Sequence, residues 1–199
     1  MTETMRTYFL LALILASLPA AGIADTASIN VNLTASIMTN TCEMSLPGGD
    51  NIQLPVVPRR WFYNLDGSDR FQPTDDAGGK KFTVQIIDCG ENDKFKKPAL
   101  HFSFRPQSGA WSKKKQVFVN EREGIRDGAK NVGIVIFSEA HHQNVLQHDG
   151  SSDVIFEGEA HQATDSIQGW YTFYARYQNT GKVRSGRVIS NVLLNVTYE

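Results

Sequence analysis

Residues 27–37 read ASINVNLTASI. Apolar side chains fall on every second position, at Ala27, Ile29, Val31, Leu33, Ala35 and Ile37, with Ser28, Asn30, Asn32, Thr34 and Ser36 between them. That is the two-residue period of a β-strand with one apolar and one polar face. No hairpin turn precedes or follows it, so the segment either completes its own sheet or reaches into that of another molecule.

Upstream, Arg6 ends a short charged leader, residues 8–18 are a continuous apolar run, and small residues lead up to Ala24. This is the pattern of a cleaved export signal over residues 1–24, and the run is too short to span a bilayer. Its removal leaves about 175 residues, enough for one well-buried domain. The whole chain has 20 Lys and Arg against 21 Asp and Glu, a formal charge of −1, which gives no hint of a nucleic-acid partner. The triplet Lys113-Lys114-Lys115 is isolated and reads as a solvated loop.

Cys42 and Cys89 are the only two cysteines. In an oxidising compartment two lone cysteines pair, closing a loop whose chain-entropy contribution is roughly 4 kcal/mol. A metal site is the weaker reading, because neither has a second Cys or a well-spaced His beside it. The sequons at Asn32 and Asn195 lie inside alternating strands rather than exposed loops, which favours a bacterial periplasmic route over a glycosylated one.

Downstream, short apolar runs alternate with turn clusters. Strands are expected over 52–57, 81–89 (KFTVQIIDC), 100–104, 116–120, 131–137 (NVGIVIF), 145–146, 154–156, 168–177 (QGWYTFYARY) and 188–198 (VISNVLLNVTY). No segment sustains the spacing of a long amphipathic helix, so the class is all-β and a two-sheet sandwich is the expected architecture. In the last run Val188, Ser190, Val192, Leu194, Val196 and Tyr198 share one face.

Taken in order, the signal, the alternating tail, ASIMTNTC, KFTVQIIDC, NVGIVIF, FYARY, a Gly-containing turn and a terminal strand with Tyr198 penultimate resemble a pilin subunit of the chaperone-usher fimbriae of Gram-negative bacteria. The resemblance implies an incomplete immunoglobulin-like β-sandwich, the pilin fold, completed by a donor strand from a neighbouring subunit or a chaperone. It divides the chain into a signal peptide (1–24), an N-terminal donor-strand extension (25–36) and a pilin domain (37–199). Ala27, Ile29, Val31 and Leu33 match the donor side chains, Cys42 and Cys89 the disulfide, and Val188, Val192, Leu194, Val196 and Tyr198 the groove-edge and chaperone-contact strand. The implied partners are other pilin subunits, a periplasmic chaperone and an outer-membrane usher, with neither nucleic acid nor a small-molecule cofactor. The implied location is the periplasm in transit and then the fimbrium. Two positions depart from the family: Ala35 stands where a Gly is frequent near the end of the extension, and Ser185-Gly186 where Pro-Gly is frequent before the last strand. The aromatic-rich segment 59–80, with Trp61, Phe62, Tyr63 and Phe71, points to a minor or adaptor subunit.

Other chemistry is weakly supported. His141, His142 and His148 read as an exposed loop rather than a metal site, and Asp75-Asp76 and Glu157 to Glu159 as solvated acids rather than a glycosidase pair. No G-x-S-x-G, H-E-x-x-H or phosphate-binding Gly loop is present, so no enzyme is expected. The alternative from another class is a secreted carbohydrate-binding, lectin-like β-sandwich with Trp61, Trp111 and Trp170 lining a sugar site; packing of these rings in core and turns is the plainer reading.

Overall fold

A computed structural model describes residues 31–35, 42–89, 99–113, 115–158 and 168–199. The expected leader, Ala27, Ile29, Lys114 and Glu159 lie outside the described residues. Among these residues the chain is all-β apart from one 3-10 turn, Arg59–Phe62. Eleven strands form two sheets.

The smaller sheet has the order β1-β11-β4-β9, from Val31–Ala35, Ser190–Tyr198, Ala99–Pro106 and Val154–Glu157. The larger runs β2-β3-β10-β7-β6-β5, from Glu43–Ser45, Lys80–Asp88, Gly169–Arg184, Lys130–Ser138, Val117–Val119 and Trp111–Ser112, with β8 (Gln143–Asn144) paired to β7. Alternation builds the core between them. Leu100, Phe102 and Phe104 of β4 and Val192, Leu194 and Val196 of β11 meet Val84 and Ile86 of β3, Ile134 and Ile136 of β7 and Phe173 of β10. The Phe173 ring sits 5.4 Å from Phe102 and 5.0 Å from Phe104, edge-on or tilted, the geometry aromatic pairs prefer.

The larger sheet is buried on its other face as well, which a strict apolar-in, polar-out strand would not show. Val117, Val135, Phe137 and Tyr174 form a second apolar cluster. The segment 71–77 lies across it. Arg176, 1% exposed, donates to the carbonyls of Gln72 (2.7 Å) and Asp75 (2.5 Å), Gln178 to that of Phe71 (2.9 Å), and the Tyr174 hydroxyl to that of Asp76. The guanidinium is also sandwiched over Phe71 and Phe137, at 4.8 and 5.3 Å from the ring centroids. Burial lowers its pKa to about 10, and it remains charged at neutral pH. Gly79 makes the close approach of this segment possible: at φ +97° a Cβ would lie 2.4 Å from the Ala175 carbonyl oxygen.

Three expected strands need correction. Residues 52–57 bury Ile52 and Leu54 but join no ladder, because Pro55 lacks an N–H and Pro58 fixes the exit of the run. The pair at 145–146 falls instead at Gln143–Asn144. The strand expected at 168–177 continues to Arg184, its polar extension held by β7 through a register shift after Asn179.

Candidate subunit interface

β11 is positioned by its own alternation. Ser190, Val192, Leu194 and Val196 are each 1% exposed or less and face the core. On one flank β4 pairs antiparallel, from Val192 opposite Pro106 to Tyr198 opposite Leu100. On the other flank lies β1, parallel, with Val31, Leu33 and Ala35 standing opposite Ser190, Val192 and Leu194. Residues 31–35 of the alternating stretch therefore extend the chain's own sheet in this structure. β1 faces only the first five of the nine residues of β11. Farther along, the Cys42 N–H donates to the Val196 carbonyl at 3.4 Å.

The entry to β11 is fixed by a buried amide. Asn120, 3% exposed, donates to the carbonyls of Ala129 (2.7 Å) and Arg187 (3.0 Å), while its oxygen accepts from the N–H groups of Ile189 (2.9 Å) and Arg122 (3.1 Å). All four bonds fit one amide orientation. Beside it the Glu121 carboxylate accepts from the backbone and side-chain nitrogens of Asn191 (3.1 and 2.6 Å), and the Ser190 hydroxyl donates to the Val119 carbonyl (2.7 Å). Gly186 is required here: at φ +157° a Cβ would lie 2.4 Å from the Ala129 nitrogen.

At the same end an apolar cleft of about 490 Å³ opens between the 3-10 turn and the β10–β11 connection, with Phe62, Val132, Tyr177, Val183 and Val188 on its walls. The Tyr177 hydroxyl is buried with no hydrogen-bond partner among the described residues, and burial raises its pKa well above the usual phenol range. Asp127 stands at the rim. The hydrogen bond from Arg122 (2.6 Å), aided by the charges of Arg122 and Arg187, holds its carboxyl below the usual range.

Of the sequence-predicted residues, Val188, Val192, Leu194 and Val196 are buried along this strand and its entry, and Tyr198 packs against the core at its far end. Cys42 and Cys89 form a disulfide. Val31 and Leu33 lie on β1. The histidines do not converge: His141 bonds to the Ser138 hydroxyl (2.9 Å) and His142 to Asp76 (2.5 Å), and the described residues hold no metal-ligand cluster. Trp61 and Trp111 pack partly buried against the core, whereas Trp170 is 63% exposed on β10, so packing explains only two of the three. Sequence reading missed Asn120 and Glu121; an Asn-Glu pair just after an apolar strand and before a turn is the only signal they left.

A curated relative, the uncharacterized fimbrial-like protein YadK of Escherichia coli (strain K12), is 32% identical over 177 residues, covering 85% of this chain and 85% of the relative. The chain belongs to the fimbrial-like proteins. As a fimbrial-like protein it is a component of a surface fibre and not an enzyme. No family model matches it. The crystal structure of the CupB6 tip adhesin from Pseudomonas aeruginosa overlaps it with a TM-score of 0.36 and 11% identity over 82% of this chain. This fimbrial-like protein spans 38% of the adhesin's length, and so loose an overlap carries no weight for its fold or site.

Proposed function

We propose that this chain is a fimbrial subunit that polymerises by donor-strand exchange, in a minor or adaptor position. Residues 25–36 are the donor segment, 37–199 the body, and 1–24 the leader removed on export. β11 is the accepting edge, filled in transit by a strand lent by a periplasmic chaperone and, after passage through an outer-membrane usher, by the extension of the next subunit. The observation that supports this reading is the ladder on the outer flank of β11, made among the described residues by the chain's own N-terminal segment, Val31–Ala35.

An edge that accepts residues 31–35 of its own chain offers the same backbone groups to the same segment of another copy. Register is enforced by alternation, since a slip of one residue would bring Asn30 and Asn32 to the positions of Val31 and Leu33. An incoming strand has to replace the five-residue ladder of β1 and, at Val196, the bond from the Cys42 N–H. Each further backbone bond to an incoming strand is worth about 0.5–1.5 kcal/mol net.

The test removes residues 25–36 and adds a synthetic peptide of that sequence. The truncated body is expected to aggregate or require a chaperone when alone, and to form a stable one-to-one complex with the peptide. A truncated body that stays monomeric, folded and indifferent to the peptide overturns the proposal.

A further inference from the structure

The segment that follows residues 52–58 builds a second feature, away from β11. Arg59, Arg60, Arg70 and Lys182 surround an open trough of about 940 Å³ whose walls include Trp61 and Tyr63. All four cations are exposed, and among the described residues none is ion-paired. In a chain of net charge −1 this is a local concentration of positive charge, not a general basicity.

The trough is held in shape. The Tyr63 hydroxyl accepts from the Val183 N–H at 2.8 Å and donates to the Gly181 carbonyl at 3.4 Å, tying the aromatic wall to the end of β10. Trp61 is fixed by ring contacts with Phe62 (5.1 Å) and Phe71 (5.0 Å), and the Arg70 guanidinium stands 5.9 Å from its centre. Arg70 is thereby oriented, and among the described residues its guanidinium is in no ion pair. One acid lines the trough, and it is already satisfied: Asp69 accepts from Lys115 (2.9 Å) and Asn179 (2.5 Å). Asp66, in the same turn, accepts from the backbone and hydroxyl of its neighbour Ser68.

We infer that this trough binds an acidic saccharide. Guanidinium groups take carboxylate or sulfate oxygens in paired hydrogen bonds, and the ammonium of Lys182 adds a point charge. Aromatic rings pack on the apolar C–H face of a pyranose, which an inorganic anion lacks. The reading does not depend on strand exchange, since the lining residues lie outside β1 and β11.

The full exported chain is titrated calorimetrically with a heparin-derived tetrasaccharide, with uncharged maltotetraose and with sodium sulfate matched in sulfate concentration. The acidic tetrasaccharide is expected to bind and to shift the Trp61 indole resonance, while maltotetraose and sulfate do neither. Arg60→Glu and Lys182→Glu, both at exposed positions, are expected to weaken binding at least about tenfold, whereas Arg126→Glu, an exposed cation outside the trough, changes it less than about twofold. Binding of maltotetraose with equal affinity, full competition by inorganic sulfate, or an equal loss in Arg126→Glu overturns the inference.

Discussion

Replacing Asn120 with alanine removes the side chain that fixes where β11 begins. Four hydrogen bonds of 2.7 to 3.1 Å are lost; the Ala129 carbonyl and the N–H groups of Ile189 and Arg122 lose this partner, while the Arg187 carbonyl keeps the Ala129 N–H (2.8 Å). At about 0.5–1.5 kcal/mol net for each, the loss lies between roughly 2 and 6 kcal/mol, and partial rehydration of the exposed turn places it near 3. For a domain of this size that lowers Tm by about 6–12 °C. Asn120→Asp keeps the accepting oxygen but turns a charged oxygen onto the Ala129 and Arg187 carbonyls in a buried site, so its loss at neutral pH should be at least as large as that of alanine. The assay is equilibrium urea unfolding, with amide hydrogen exchange at Ile189 as the local readout, because that N–H donates to the Asn120 oxygen. A loss below about 1 kcal/mol, or an Ile189 amide no faster in exchange than in wild type, refutes the assignment of Asn120 as the anchor of the strand.

Three further outcomes are expected. Arg176→Met leaves the Asp75 carbonyl without its donor and the Gln72 carbonyl with only the Asp75 N–H (3.0 Å), and should cost about 2–4 kcal/mol in urea unfolding; Arg176→Lys should recover little of it, because one ammonium cannot reproduce the planar fork. Replacing Cys42 and Cys89 together with alanine should lower stability by about 4 kcal/mol, and reduction of wild type with dithiothreitol should give the same urea midpoint. The third concerns pH. Burial raises the Asp69 carboxyl, but the hydrogen bonds from Lys115 and Asn179 and the Lys115 charge outweigh it, and the folded pKa lies below the ordinary 3.8. Its contribution is therefore fully present above that value and is lost as pH falls through the lower, folded one. The urea midpoint of wild type should drop in that acidic window more steeply than that of Asp69→Asn, and parallel curves would exclude the linkage.

The sandwich was legible because its strands alternate cleanly. Val188 to Tyr198 shows its buried face in the letters, and every member of that face from Val188 to Val196 is indeed buried. Alternation names a face, however, and is silent about partner and direction, so the parallel pairing of β1 with β11 was not readable. Residues 52–57 misled for the opposite reason: Ile52 and Leu54 have the spacing of a strand, but burial without a ladder uses the same pattern, and two prolines decided against pairing. β10 was cut short at Tyr177 because Gln178, Asn179 and Lys182 look like a turn. Gln178 is polar and buried because the segment 71–77 brings it a carbonyl, a contact across more than a hundred residues that no local window contains. The same segment was legible only as an aromatic-rich insertion, whereas in the fold it roofs the outer face of the larger sheet.

The disulfide gains another meaning if the chain is pulled. Tension entering from the N-terminal side at residue 42 passes through sulfur to residue 89, and the intervening backbone carries none of it. The sequence separation of 47 residues, at about 3.4 Å each when extended, is roughly 160 Å of slack that a stretched molecule can never pay out. The 3-10 turn, the wall of the trough from Arg59 to Arg70 and the roof over Arg176 lie on that shielded length, whereas Gly181 and Lys182 on the opposite wall belong to β10 and would feel the load.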